Sequence, residues 1–550
     1  MTTLRKGSFC GLILFLCLGP FQIASSAAVI NVEAVRFQQD AASVASNPET
    51  RIRIAGSEEA WGSDASKEDV WEESSDADEN PWGEKDAGTG EEGSPWGEEE
   101  QAEEAPPWDE EKAADEGTPP WEEEAEEKAK AGLPIDLSGH FWTRYAHDLN
   151  EDNPFEDDDF SHTELRIKAA YDPSPAWDIV LALDADAFLY RNSGDWDHEI
   201  NLQPHEAYVR YAGPFYEVTL GNQLVHWGKA DEVSPLDIVN PEDLRDGFVR
   251  SREDRKLPVP MVNAKFFKGV YKVETLFIPF FQESDIDLVG RDWAFFDHYD
   301  RSVGSFRLLE DKPANDLSNS EVGVRFSGTI RNLDYAFSYF HTREDVPSFD
   351  SLVTPPGFRV PDPDAVELRD LVVFASNPLA PQPIGLRYAR QNVFGIEFET
   401  TWKSLGIRGE VAYIHEKSFL NDRLRRVEVP VYSYVLGADY NKPGSFYCNL
   451  QFGQQILEED DDGLLFTDRV TTTVNGEINK KLFDSKLELA LRYLYNFTWE
   501  DYYVNPLIRL KYWTNITVDF GVEMEGGPSN SVLGFFDDND EVYVLFQYDF

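Results

Sequence analysis

Residues 541–550 read E-V-Y-V-L-F-Q-Y-D-F, and the rest of the chain is best understood from them. Val542, Val544, Phe546, Tyr548 and Phe550 share one parity and are all apolar. Glu541, Tyr543, Leu545, Gln547 and Asp549 share the other, which is mostly polar. A period of two is that of a β-strand, whose side chains alternate between faces. An apolar face that ends in aromatics needs a large apolar partner. In a soluble sandwich that partner is a second sheet; in a membrane barrel it is lipid, and the polar face lines a lumen.

The same texture runs from Leu133 onward. Trp177, Ile179, Leu181, Leu183 and Leu189 alternate with Asp178, Asp184 and Asp186. Val218 and Leu220 alternate with Glu217 and Thr219, and Leu487, Leu489 and Leu491 with Lys486, Glu488 and Arg492. Ile516, Val518 and Phe520 oppose Thr517 and Asp519. Repeated charges on one face argue against a dry core and suit a wet lumen. The connections alternate as well. Short turns are expected at 172–176, 213–214, 268–269, 330–332, 402–405, 441–444, 482–485 and 514–515. Longer polar or Pro-rich connections are expected at 150–159, 192–201, 227–258, 282–319, 342–384, 417–428, 458–463, 499–502 and 525–540. Counting hairpins gives about 16 to 18 strands, enough to enclose an aqueous channel. The fold class is therefore all-β, a transmembrane antiparallel barrel spanning 133–550. The short turns and the terminal strand resemble those of Gram-negative outer-membrane barrels. In that family the last strand is also the assembly signal, which implies that role for Phe550 and implies membrane lipid and the barrel assembly machinery as partners.

Composition agrees. The chain has 550 residues, a net charge of −54 and three Met. Such an acidic chain is a poor partner for nucleic acid. Residues 1–28 have the form of a secretory signal, with Arg5 and Lys6, an apolar run from Phe9 to Leu18, and small residues at 25–28. Cys10 and Cys17 fall inside it, which leaves Cys448 without an intrachain partner. No later stretch is apolar for the roughly 20 residues a membrane helix needs.

The segment 29–132 is of another kind. Between 57 and 130 there are 29 acidic and 5 basic residues. With few aliphatics it has no core to offset the entropy of ordering, so a disordered, extended periplasmic segment is expected. Six tryptophans recur in it. The last four, Trp82, Trp96, Trp108 and Trp121, each follow a Pro and precede Gly, Glu or Asp. A disordered chain gains nothing internally from tryptophan, whereas Trp is a common binding anchor. The expectation is a string of weak motifs that dock a periplasmic or envelope partner by multivalency. The alternative is an acidic spacer.

The strongest local signature is 221–248, G-N-Q-L-V-H-W-G-K-A-D-E-V-S-P-L-D-I-V-N-P-E-D-L-R-D-G-F. W-G-x-x-D followed by P-x-D-x-x-N-P-x-D resembles a poorly characterised family of outer-membrane barrels with a G-R-Q-x-x-x-W-G strand end; here Asn222 stands where that family has Arg. The resemblance implies a porin-like or export-associated barrel. The loop mixes apolar residues with turn formers and charges, so it is expected to fold into the lumen as a constriction through Trp227, Asp231, Asp237, Asn240, Asp243 and Arg245. The alternative is an external cap. A calcium site from Asp231, Asp237, Asn240 and Asp243 has suitable donors but matches no defined calcium loop. Asp178, Asp184, Asp186 and Glu217 on early strands, with Lys486, Arg492, Arg509 and Lys511 on late ones, are expected to face the lumen. They either set a transverse field or pair with their neighbours. No G-x-S-x-G or H-E-x-x-H is present, so neither an enzyme nor a cofactor is expected. The reading is a channel for small or amphipathic solutes, with a structural tether, or least of all an outer-membrane hydrolase, as the alternative.

Overall fold

The computed structural model describes residues 135–150, 157–192, 195–248, 250–286, 293, 307–367, 370–371, 383–459 and 463–550. The signal region and the acidic tryptophan segment lie outside them. In chain order the strands are β1 (Ile135–Asp148), β2 (Asp157–Ser174), β3 (Trp177–Asn192), β4 (Asp195–Ala212), β5 (Tyr216–Gln223), β6 (Val259–Lys268), β7 (Tyr271–Ile278), β8 (Arg307–Asp311), β9 (Glu321–Ile330), β10 (Leu333–Arg343) and β11 (Ser348–Leu352). They continue with β12 (Pro383–Arg387), β13 (Arg390–Trp402), β14 (Leu405–Asn421), β15 (Arg426–Lys442), β16 (Phe446–Leu457), β17 (Leu464–Leu465), β18 (Val470–Leu482), β19 (Leu487–Asn496), β20 (Asp501–Trp513), β21 (Ile516–Gly526) and β22 (Glu541–Asp549).

Strands β8, β11 and β12 form a small separate sheet, and β17 only borders β14. The remaining 18 close into one antiparallel barrel. Closure is made by β1, which pairs with β2 along one edge and β22 along the other. His140 lies opposite Asp549, and Tyr145 opposite Val544. One residue further, Phe550 donates its N–H to the Gly139 carbonyl at 2.9 Å and accepts from the Gly139 N–H at 2.7 Å. The Phe550 ring lies over Gly139, in space that any side chain would fill.

The alternation seen in sequence is the alternation between lipid side and lumen. On β22, Val542, Val544, Tyr548 and Phe550 are exposed outward, while Glu541, Tyr543 and Leu545 are buried inward. On β3, Ile179, Leu181, Leu183 and Leu189 are exposed, and Asp184 and Asp186 are buried. This inverts a soluble protein, where a continuous apolar exterior would be unfavourable against water. It is the pattern of an outer-membrane barrel.

All eight expected short turns connect strands at one end, together with Ile135 and Phe550. Arg331, Lys403 and Asn515 hold left-handed φ of 60°, 58° and 59° in these turns, as tight reversals require. At the other end the alternation of short and long is less regular than the composition suggests. The expected connection at 192–201 is strand. β4 begins at Asp195, directly paired with Asn192, because His198, Ile200 and Leu202 continue a period that interspersed acids conceal. The connection at 417–428 shrinks to the residues between Asn421 and Arg426, since β14 and β15 run past the acidic and basic residues near their ends. The longer connections fold over this end. Leu352, Val360, Ile384 and Leu386 share an apolar cluster with Leu420, Phe466, Phe535 and Phe536.

Candidate functional site: a loop across the lumen

After β5 the chain leaves the wall, and residues 224–258 cross the inside of the barrel before β6 begins. The departure is built locally. Gly221 has φ +126°, and a Cβ there would lie 2.1 Å from the Ala207 carbonyl oxygen. The Gln223 side-chain amide donates to the carbonyls of Thr219, Gly221 and Met261, which satisfies backbone acceptors at the kink. Trp227 is buried with its ring 5.7 Å from that of Phe340. Asn240 ties the two ends of the loop together. Its Oδ1 accepts from the Val225 N–H at 2.8 Å, and its Nδ2 donates to the carbonyls of Gln223 at 2.9 Å and Leu257 at 2.8 Å.

One flank of the loop binds the wall at β13, β14 and β16. Gly228 N–H donates to Glu397 at 2.9 Å, and the Lys229 and Ala230 N–H groups and the Ser234 hydroxyl donate to Glu410. Successive backbone N–H groups turned toward carboxylates form an anion-holding concavity. Asp231 accepts from Arg408 at 2.8 Å and from Asn449 and Gln451. The opposite flank binds β2 and β3. Asp246 meets His162, whose other ring nitrogen is 3.3 Å from Asp186. Arg250 donates to Glu164 at 2.7 Å, and the Arg245 guanidinium lies 4.5 Å from the Phe188 ring centroid. The loop therefore touches walls that are distant in the strand order.

Its own charges are paired. Arg245 makes two hydrogen bonds of 2.8 Å to Asp243. Arg252, Arg255 and Lys256 surround Glu242, and Arg252 and Lys256 also approach Asp237. Burial opposes ionisation of Asp237, Glu242 and Asp246, yet the cations beside them win. Lys256, His226 and Arg252 hold Asp237 well below the usual carboxylate range. Arg252, Lys256 and Arg255 do the same for Glu242, down to about 2, and His162 and Arg250 for Asp246. Asp231, Asp237, Asn240 and Asp243 do not converge on one point, because each is engaged by a different set of donors; among the described residues no group of three metal-ligating side chains forms.

The eight wall charges expected in the lumen do not stand as a bare field. Asp184 pairs with Arg166 at 2.7 Å and with His205 at 3.0 Å. Asp178 pairs with Arg210, Glu217 with Lys265 at 2.9 Å, Arg509 with Asp519 at 2.7 Å, and Lys511 with Glu488 at 3.3 Å. These are neighbours on adjacent strands, so each of these charges is paired locally. Asp186 faces His162. Arg492 lines the cavity below the loop. Lys486 is exposed in the turn between β18 and β19, not on a strand, because Phe483, Asp484 and Ser485 take left-handed φ and delay the start of β19. Sequence reading did not name Glu397 or Glu410, and it placed His162 and Glu164 only on the polar face of a strand, with no role at the site. They carry the parity of lumen residues, but their partners lie on the loop, about 80 to 180 positions away.

On the short-turn side of the loop lies a cavity of about 440 Å³ lined by Trp227, Lys229, Asp231, Arg408, Tyr447 and Arg492, among others. On the other side, Trp293 lies 5.3 Å from both Phe248 of the loop and Phe536 of the outer connections. The loop is thereby joined to the folded layer above it.

Residues 185–428 match a family described as a protein of unknown function (DUF1302), a span that contains the whole loop. No curated protein matches the chain. Among solved structures, Acinetobacter baumannii OccAB4 is 9% identical, with a TM-score of 0.44 over 76% of this chain and 98% of that one. Pseudomonas aeruginosa OccD3 is 9% identical, with a TM-score of 0.40 over 76% and 92%. An anion-selective porin from Comamonas acidovorans is 12% identical, with a TM-score of 0.34 over 76% and 99%.

Proposed function

We propose that this chain is a porin-like channel of the Gram-negative outer membrane, narrowed by residues 224–258 and serving small or amphipathic solutes. The observation that carries the reading is a loop anchored on opposite walls of a closed, lipid-faced barrel. Such a loop sets the size and charge of the passage, and its ion-paired lining suits solutes that carry polar groups of both signs. Planar-bilayer conductance tests this. Deleting residues 231–245 removes the anchors of Asp231 to Arg408, Asn449 and Gln451, of Ser234 to Glu410 and of Arg245 on Phe188, but none of the wall pairing. The deletion protein should fold, keep heat-modifiable migration and conduct several-fold more than the native chain. Unchanged conductance in a folded deletion protein would make the loop a cap outside the conducting path.

The segment 57–130 would act on the periplasmic side, as a ligand for an envelope partner with a basic surface and pockets for tryptophan. Each motif should bind weakly, because it must offset its own ordering. Affinity should grow with motif number and fall with salt, since exposed charges are screened beyond about 8 Å at physiological ionic strength. Replacing Trp82, Trp96, Trp108 and Trp121 with Ala keeps the charge and should abolish capture of the partner in pull-downs from periplasmic extract. Undiminished capture would return the segment to an acidic spacer. If deleting 57–130 left conductance intact but removed an envelope phenotype, the barrel would be the anchor of a tether.

A further inference from the structure

Across the seam the lumen face carries an apolar strip. Trp142 on β1, Tyr543 and Leu545 on β22 and Leu507 on β20 take the inward parity and are buried. Between them on β21 the inward position is Gly521, opposite both Tyr543 and Leu507. A Cβ there would lie 2.3 Å from the Tyr543 ring, so the ring fills the space of the missing side chain. Arginines bound the strip on both sides. Arg166 stands on β2, beyond β1, while Arg509 and Arg492 stand on β20 and β19. From β2 to β20 there are four strand spacings, about 19 Å. Arg250 of the loop reaches over the strip, 5.7 Å from the Trp142 ring centroid.

These groups line a second cavity below the loop, of about 140 Å³. Its four arginines, Arg166, Arg250, Arg492 and Arg509, face three carboxylates, those of Glu164, Asp254 and Asp519. The cavity therefore keeps a surplus of positive charge inside a chain whose net charge is −54. The larger cavity beside it has the opposite balance, with six carboxylates against Lys229, Arg252, Arg408 and Arg492. Ser251 and Arg492 line both cavities, so a solute below the loop can move from one to the other.

An apolar wall favours a hydrocarbon body that leaves water, and a guanidinium fork matches the two oxygens of a carboxylate. We propose that the seam cavity is a binding site for an amphipathic carboxylate, held at its head by Arg492 and Arg509 and along its apolar body by Leu507, Leu545 and Trp142. Leu507 stands between the two arginines. It is two residues from Arg509 along β20, and two from Asn505, which lies opposite Arg492. The head takes this flank because Arg492 borders both cavities. The site deepens the channel reading above, on which its part in passage rests.

Calorimetry on the full chain in lipid nanodiscs tests the site without requiring conduction. Hexanoate, acetate and hexylammonium are titrated in turn, with empty nanodiscs as the blank. Hexanoate should bind at least about ten-fold tighter than acetate, because its longer chain leaves water against the strip, and tighter by a similar factor than hexylammonium, whose charge the arginines repel. Acetate binding as tightly as hexanoate would overturn the proposal by taking the strip out of it, and hexylammonium binding as tightly would overturn it by taking out the arginines. Arg509→Gln alone would strand the buried Asp519 without its cation. The double variant Arg509→Gln, Asp519→Asn leaves both neighbours neutral and able to hydrogen-bond. Hexanoate affinity should fall in it at least about ten-fold, and undiminished affinity would place binding elsewhere and overturn the site. Leu545→Asn leaves every one of these ion pairs in place and should bring hexanoate down to the affinity of acetate; a native value would overturn the site as well. Planar-bilayer conductance of the native chain is read separately. Hexanoate binding without conduction would fail the channel and leave the site standing, whereas conduction without hexanoate binding would fail the site alone.

Discussion

At the scale of single residues, the site is held by buried charges, and their environments differ in sign. The loop carboxylates sit among cations. Glu344, just beyond β10, sits instead where burial raises its carboxyl to about 6, only partly countered by Lys417. A carboxyl raised above its unfolded value of roughly 4.3 contributes stability in the protonated form. That contribution is full below the unfolded value and is lost as pH rises through about 6. The layer of connections around Glu344 should therefore resist protease better at pH 5 than at pH 7.5. Glu344→Gln should flatten that difference. An identical pH response in the Gln variant would assign it to other groups. The signs oppose one another along the chain. Asp237, Glu242 and Asp246 contribute stability above their unfolded values and lose it only as pH falls below the ordinary carboxylate range, so acidification to pH 5 should leave the loop anchored.

At the scale of elements, the loop behaves as one piece because Asn240 closes it. Its three hydrogen bonds join residues 223, 225 and 257. The closing distances are short and the site is buried, so each orphaned backbone group left by Asn240→Ala costs about 1–3 kcal/mol. The expected outcome is a barrel that assembles normally, with single-channel records that flicker between the native level and higher ones. A steady native level would show that the wall anchors at Glu397 and Glu410 suffice. Sequence reading placed Asn240 in the N-P-x-D stretch as a constriction residue. Its position at the neck of the loop appears only once β5 and β6 are paired.

At the scale of the whole molecule, closure depends on β1 meeting β22. Phe550 supplies two backbone hydrogen bonds, and its ring covers Gly139 and stacks on Tyr548 at 5.6 Å. Removing Phe550 exposes the start of β1 at the seam and takes away the terminal aromatic. The truncated chain should assemble poorly and lose heat-modifiable migration in the membrane fraction. Full assembly would separate seam packing from the assembly signal.

Most of the strands, a count within two of the observed 18, the eight short turns and the lipid-facing parity were determined by the sequence alone. They depend on local quantities: a period of two, turn residues with left-handed backbone, and apolar faces too extensive for water. The acids and bases on the second parity were legible as lumen charges for the same reason. Their effect was decided only by the tertiary structure, because it depends on strand register. One residue of slip would place Arg509 or Glu217 beside different partners. The same holds for the loop. Gly221, Trp227 and Asn240 stand out in the sequence, but Glu397, Glu410 and His162 become their supports only when a closed wall brings distant strands to face the lumen together.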